Sequence, residues 1–147
     1  TDQIHKEGIY LSVDVFGECS SEYVTAYGQY WPAISNIVDA ISSMPYTDHF
    51  GRSVDTWTNA YQTVNNWAKG ASARQKEIPT PAVARTWITA YDTPYWNPKV
   101  IYNAGKIEDQ VRALYDAGLD GGFITWNSAS SLAKYEQIKS AFAKNYG

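Results

Sequence analysis

A chain of 147 residues is long enough to bury the core of one domain. Its net charge of -3, with no basic run, argues against a nucleic-acid partner. Cys19 is the only cysteine, which excludes an intrachain disulfide and a cysteine-rich metal site, and no apolar run approaches the ~20 residues of a bilayer span.

Read from the N-terminus, residues 1–7 have the composition of a helix end, with Gly8 as the stop signal. From 8 to 17 the pattern alternates. Ile9, Leu11, Val13 and Val15 share one branched apolar face, while Tyr10, Ser12, Asp14 and Phe16 share the other. This predicts a strand over 9–15 with a carboxylate near its C-terminal end, where parallel α/β barrels carry their active sites. A polar loop over 18–28 follows, then a short helix over 30–38 with Pro32 in its first turn.

A second strand is expected over 39–45, stopped by Pro45, and a long loop through His49, Gly51 and Arg52 comes after it. Tyr61, Val64, Trp67, Ala68 and Ala71 recur at helical spacing and predict a helix over 59–75. Pro79 and Pro81 lead into a third strand over 82–90, followed by an aromatic, Pro-rich loop over 92–103. A helix over 106–117 ends at Gly118, a fourth strand covers 122–127, and a last helix covers 131–144.

Four strands alternating with helices make a βα pattern, which implies a parallel sheet with right-handed crossovers. No Gly-rich phosphate loop follows any strand, so a dinucleotide site is disfavoured. The loops after the strands are long and those before them short, as in a barrel. Asp39 and Asp120 stand just before strands, where a structural role at the bottom face is expected. Four βα units cannot close an eight-stranded barrel, so the chain reads as an open four-stranded sheet or as half a barrel.

Several segments then fall into a familiar order. They are Leu-Ser-Val-Asp-Val-Phe-Gly (11–17), Gly-Gln-Tyr-Trp-Pro-Ala-Ile-Ser (28–35) and Val-Asp-Ala-Ile-Ser-Ser-Met-Pro-Tyr (38–46), with Ala-Arg-Thr-Trp-Ile (84–88) and Tyr-Asp-Ala-Gly-Leu-Asp-Gly-Gly-Phe-Ile-Thr-Trp-Asn (115–127). Together they resemble the putative glycoside hydrolase domain family, a bacterial TIM-barrel family distantly similar to the alpha-amylase clan. The resemblance implies an α/β fold of the (βα)4 type: a parallel half-barrel, the C-terminal half (strands five to eight) of a TIM (β/α)8 barrel.

By the same resemblance Asp14 matches a strand-five carboxylate and Tyr46 a Met-Pro-Tyr turn. Arg85 and Trp87 match a strand-seven motif, with Thr86 and Thr89 where the family usually has Pro and Gln. Asp92 lies about two positions later than the strand-seven carboxylate. Trp126 and Asn127 match the end of strand eight. A strand-four motif with an Asp and an Arg would lie upstream and is not in this chain, so the 147 residues alone are expected to be a poor catalyst. An extracellular or cell-envelope location is implied.

Glycoside hydrolysis usually needs two carboxyl groups across the scissile bond. Asp14 and Asp92 are the expected catalytic pair, with Tyr46, His49, Arg85, Trp87, Trp126 and Asn127 binding the substrate. Competing roles are an ion pair between Asp14 and Arg85, a solvated Glu18, and packing for Trp57 and Trp67, while Asp48 and His49 are read equally as lining the cleft or as turn caps. The expected partner is a carbohydrate, with no cofactor and no metal. Open sheet edges predict a homodimer or a missing N-terminal half-barrel. The alternative function is a non-catalytic carbohydrate-binding or cell-envelope module that uses the same aromatics.

Overall fold

The structure, a computed structural model, describes residues 1–50, 53–93, 97 and 99–146. Gly51 and Arg52 of the expected loop, residues 94–96 and 98 of the next one, and Gly147 lie outside the described residues. Helix α1 (Asp2–Lys6) stops at Gly8, whose φ of +71° suits a residue without a Cβ. Strand β1 (Ser12–Phe16) runs into a 3₁₀ turn at Gly17–Ser20. Helix α2 (Trp31–Ser35) is shorter than its pattern suggests. Past Ser35 the chain bonds to the 80s loop instead: the Ser35 carbonyl accepts from the Ala82 N–H at 3.0 Å, and Asn36 Oδ1 accepts from Thr80 Oγ1 at 3.0 Å.

Strand β2 (Ala40–Met44) leads into two short helices, α3 (Thr47–Phe50) and α4 (Val54–Thr58), in a region read from sequence as loop. Helix α5 (Ala60–Lys76) follows, with the Asn59 side chain accepting from the Gln62 N–H at its N-terminus. The expected third strand divides at Arg85 into β3 (Val83–Ala84) and β4 (Thr86–Thr89). After α6 (Ala104–Asp116), capped at Gly118 with φ +81°, come β5 (Phe123–Trp126) and α7 (Leu132–Ile138). The last helix also falls short of its pattern, finishing as a 3₁₀ turn at Lys139–Ala143.

The architecture is mixed α/β, and every described ladder is parallel, compatible with a partial α/β barrel. β1 pairs with β2 from Ser12 opposite Ala40 to Phe16 opposite Met44, and β2 pairs with β3 at Ala40–Val83 and Ile41–Ala84. β4 pairs with β5 from Thr86 opposite Phe123 to Thr89 opposite Trp126. The split strand therefore joins two ladders, bonding to β2 with its first piece and to β5 with its second. The loop into β5 crosses β3 very closely. A Cβ on Gly121 would lie 2.4 Å from the Ala84 carbonyl oxygen, so only glycine fits there.

The helices cover one face of this sheet. Val15, Ile41, Ala84 and Ile88 from the strands meet Val64, Trp67, Ala68 and Ala71 of α5 and Ile107, Val111 and Leu114 of α6 in one buried cluster. This is the helical periodicity of the sequence turned into packing. A second cluster of Trp57, Ala60, Val100 and Tyr102 gathers under the loops that follow β2 and β4. At the opposite end of the strands, Asp39 Oδ2 accepts from the Leu11 N–H at 2.7 Å and meets His5 Nε2 at 2.8 Å. The Leu11 N–H bond, followed by the one to His5, holds the Asp39 carboxyl below its ordinary range.

Candidate functional site

Period-two alternation leaves Ser12, Asp14 and Phe16 exposed on the face of β1 away from the helices, while Val15 is buried. Asp14 lies opposite Ser42 in the parallel register. Ser42 is fully buried, and its hydroxyl finds no hydrogen-bond partner among the described residues. From β4, Trp87 reaches across to the same place, and its indole Nε1 donates to Asp14 Oδ1 at 3.0 Å. This bond spans 73 residues of sequence and fixes the carboxylate on the open face. The other oxygen, Oδ2, bonds to no described residue.

Trp126 stands beside Trp87, with ring centroids 6.0 Å apart and planes at 85°. Edge-to-face contact of this kind orients both rings. Trp126 is 42% exposed, so the pair offers a wet aromatic surface next to a carboxylate. Arg85 is also exposed, at the break between β3 and β4, with its backbone N–H given to the Ile41 carbonyl at 2.9 Å. Among the described residues no ion pair joins it to Asp14, so neither group neutralises the other by direct contact.

Tyr46 follows β2 and is largely buried, with its ring 5.9 Å from that of His49 and 6.3 Å from that of Tyr91. Burial, then the negative charges of Asp14 and Asp48, push its phenol up to about 12. The phenol therefore stays protonated near neutrality and lies within reach of the Asp14 field. Asp48 accepts from the Tyr91 hydroxyl at 2.8 Å and sits 3.4 Å from His49 Nδ1. These bonds knit the loops after β2 and β4 together. Deeper in, Thr47 and Tyr102 share a 2.5 Å hydroxyl contact, and Tyr102 donates to the Trp57 carbonyl at 2.9 Å. Gln110 of α6 pins the end of β4, accepting from the Thr89 N–H at 2.9 Å and donating to its carbonyl at 2.8 Å.

Two of the expected residues are engaged by partners other than Asp14, Trp87 and Trp126. Asp92 accepts from Lys134 Nζ at 2.5 Å and from the Tyr102 N–H at 2.9 Å, with Lys99 at 3.9 Å. Burial alone would raise its carboxyl pKa. The Lys134 and Tyr102 bonds and the two positive charges outweigh that and lower it. Asn127 alternates to the other side of β5 from Trp126, and its Oδ1 accepts from the Ala129 N–H at 3.2 Å in the turn after the strand. There it lines a cavity with Thr125, Tyr135 and Phe142.

The structure thus brings Asp14, Trp87 and Trp126 together, with Tyr46 and His49 on the neighbouring rim. Sequence reading missed Ser42 as a neighbour of the site, while it leaves Asp48 either lining the cleft or capping a turn. Ser42 was legible as the register partner of Asp14 once the strands were paired, whereas the Tyr91–Asp48 bond joins two loops and leaves no periodic signal. Among the described residues no three His, Cys, Asp or Glu side chains gather as a metal site would require. No described helix is long and apolar enough to cross a membrane.

Against known proteins, the model of a family described as "Putative glycosyl hydrolase domain" matches residues 1–132. No curated protein and no solved structure matches the chain.

Proposed function

The chain belongs to that family of putative glycosyl hydrolase domains, and from this premise we propose that it is the (βα)4 segment of a barrel that cleaves glycosidic bonds. The observation that carries the proposal is Asp14: an exposed carboxylate on the open face of a parallel strand, two residues before the strand's last residue, held by a tryptophan from a strand 73 residues away. Asp14 supplies one of the two carboxyl groups that glycoside hydrolysis requires. The Trp87 bond to Oδ1 sets its orientation and leaves Oδ2 turned to the substrate. Trp87 and Trp126 offer their faces to a sugar ring, and Arg85 stands free to bind hydroxyl or ring oxygens.

Asp92 is engaged by Lys134 and by the backbone of Tyr102. We assign it to steadying the rim rather than to proton transfer. The second carboxyl group then comes from whatever closes the barrel. β1 and β5 each have a paired neighbour on one side only among the described strands, and such edges recruit further strands. Closure by further βα units, or by a second copy around a two-fold axis, completes the fold in the manner of strands one to four meeting five to eight. The isolated chain is accordingly a slow catalyst, and its activity rises with assembly.

A panel of fluorogenic aryl glycosides, assayed across fractions whose mass is set by light scattering, tests this. Hydrolysis concentrated in the assembled species is the expected result. Oligosaccharide binding with no hydrolysis in any fraction would replace the proposal with a carbohydrate-binding module.

A further inference from the structure

Beside Asp14, at the ends of β1 and β2, lies a cavity of about 480 Å³, within the ~300–1,000 Å³ of small-molecule sites. Phe16, Tyr27, Met44, Tyr46, His49 and Phe50 line it, with Gly17 and Glu18 at its wall. Its construction is specific. Phe16 is two residues beyond Asp14 on the same strand face, and its ring meets Tyr27 edge-to-face at 5.2 Å and 71°. Glu18 Oε2 accepts from the Tyr27 hydroxyl at 3.1 Å, which anchors the aromatic wall, while Oε1 bonds to no described residue. Gly17 lets Phe50 close the far side, because a Cβ there would come within 2.2 Å of the Phe50 ring.

We propose that this cavity is a binding subsite for one uncharged pyranose unit of the glycan whose bond lies at Asp14. The inference rests on the hydrolase reading above and deepens it. A pyranose ring has apolar C–H faces and a rim of hydroxyl groups. Here exposed aromatic rings meet the faces, and the free Glu18 oxygen accepts from the rim. Phe16, in the cavity wall, is two residues beyond Asp14 on the same face of β1, so the two places adjoin. The lining carries one carboxylate and, among its described members, no lysine or arginine. With Asp14 and Asp48 nearby, an acidic sugar meets like charge.

Calorimetric titration of the full chain with cellotetraose, N-acetylchitotetraose and tetragalacturonate tests the subsite. A neutral tetrasaccharide binds, and the uronate does not. Phe16→Ala and Tyr27→Ala each weaken binding about tenfold, and Glu18→Gln weakens it several-fold, whereas Tyr135→Ala, in a separate cavity that shares no lining residue with this one, leaves it unchanged. Phe16 and Tyr27 are both half exposed, so these variants fold, and circular dichroism checks that they do. Preference for the uronate, no binding of any probe, or neutral-sugar binding indifferent to Phe16 and Tyr27 overturns the proposal. Binding that obeys the pattern in a chain that hydrolyses nothing removes the hydrolase reading and leaves the subsite standing.

Discussion

The two faces of the sheet hold their side chains by different means and to different ends. On the helix-covered face Val15, Ile41 and Ile88 are at most 2% exposed and touch α5 and α6. On the other face Asp14, Phe16 and Trp126 are exposed, yet Trp87 is tied to Asp14 and stacked edge-on with Trp126. The first face holds the fold together by removing apolar area from water. The second is held in place by a hydrogen bond and ring contacts while staying wet. On the function proposed above, this face is kept for a ligand rather than for stability.

Substitutions should separate the two faces sharply. Ile41→Ala leaves a cavity under the helices and should lower unfolding free energy by about 3 kcal/mol in a urea titration. Next comes the rim. Lys134→Met strands Asp92 in a three-quarters buried position and should cost about 2 kcal/mol near neutral pH. Because the folded Asp92 carboxyl is lowered, its contribution is full above the unfolded carboxylate range and fades as pH falls through the folded value. Lys134→Met should therefore flatten the acid limb of a stability–pH profile. An unchanged limb would detach Asp92 from Lys134.

Smaller effects sharpen the other side. Phe16→Ala on the open face should change stability by no more than about 0.5 kcal/mol, and a loss rivalling that of Ile41→Ala would erase the distinction between the faces. Asp14→Asn should leave the unfolding midpoint nearly unchanged but lower the Tyr46 phenol from about 12, since it removes a negative charge that disfavours the phenolate. Ultraviolet difference titration reads that shift. A phenol that does not move would place Asp14 outside its field.

Much of this contrast was legible in the amino-acid order. The alternation from Ser12 to Phe16 matches β1 and its two faces, whereas Ile9 and Tyr10, read into the same strand, precede it and are both exposed. The helical spacing of Val64, Trp67, Ala68 and Ala71 matches the cover of the sheet. The parallel pairing followed from the βα alternation. What escaped was set by tertiary contacts. The third strand breaks at Arg85 because its two halves bond to different neighbours, which no local period records. Of the short helices, α4 rests on its Ser53 cap and α3 on the Thr47–Tyr102 contact rather than on an amphipathic pattern. Asp92 looked like a strand-end carboxylate, and only the fold brings Lys134 to it from 42 residues on. The partnership of Asp14 with Trp87 lies between these cases: both residues were singled out by position, but their hydrogen bond needed β1 and β4 to share a face.

The most direct measurement of the account compares wild type and Asp14→Asn for glycoside turnover and for oligosaccharide affinity, on the same assembled samples. Removing a reacting carboxyl group should cut turnover at least about a hundredfold. Affinity should stay within about threefold, because the aromatic surfaces remain. Turnover that survives in Asp14→Asn, or affinity that falls in step with it, would contradict the assignment of Asp14 as the carboxylate that cleaves the bond.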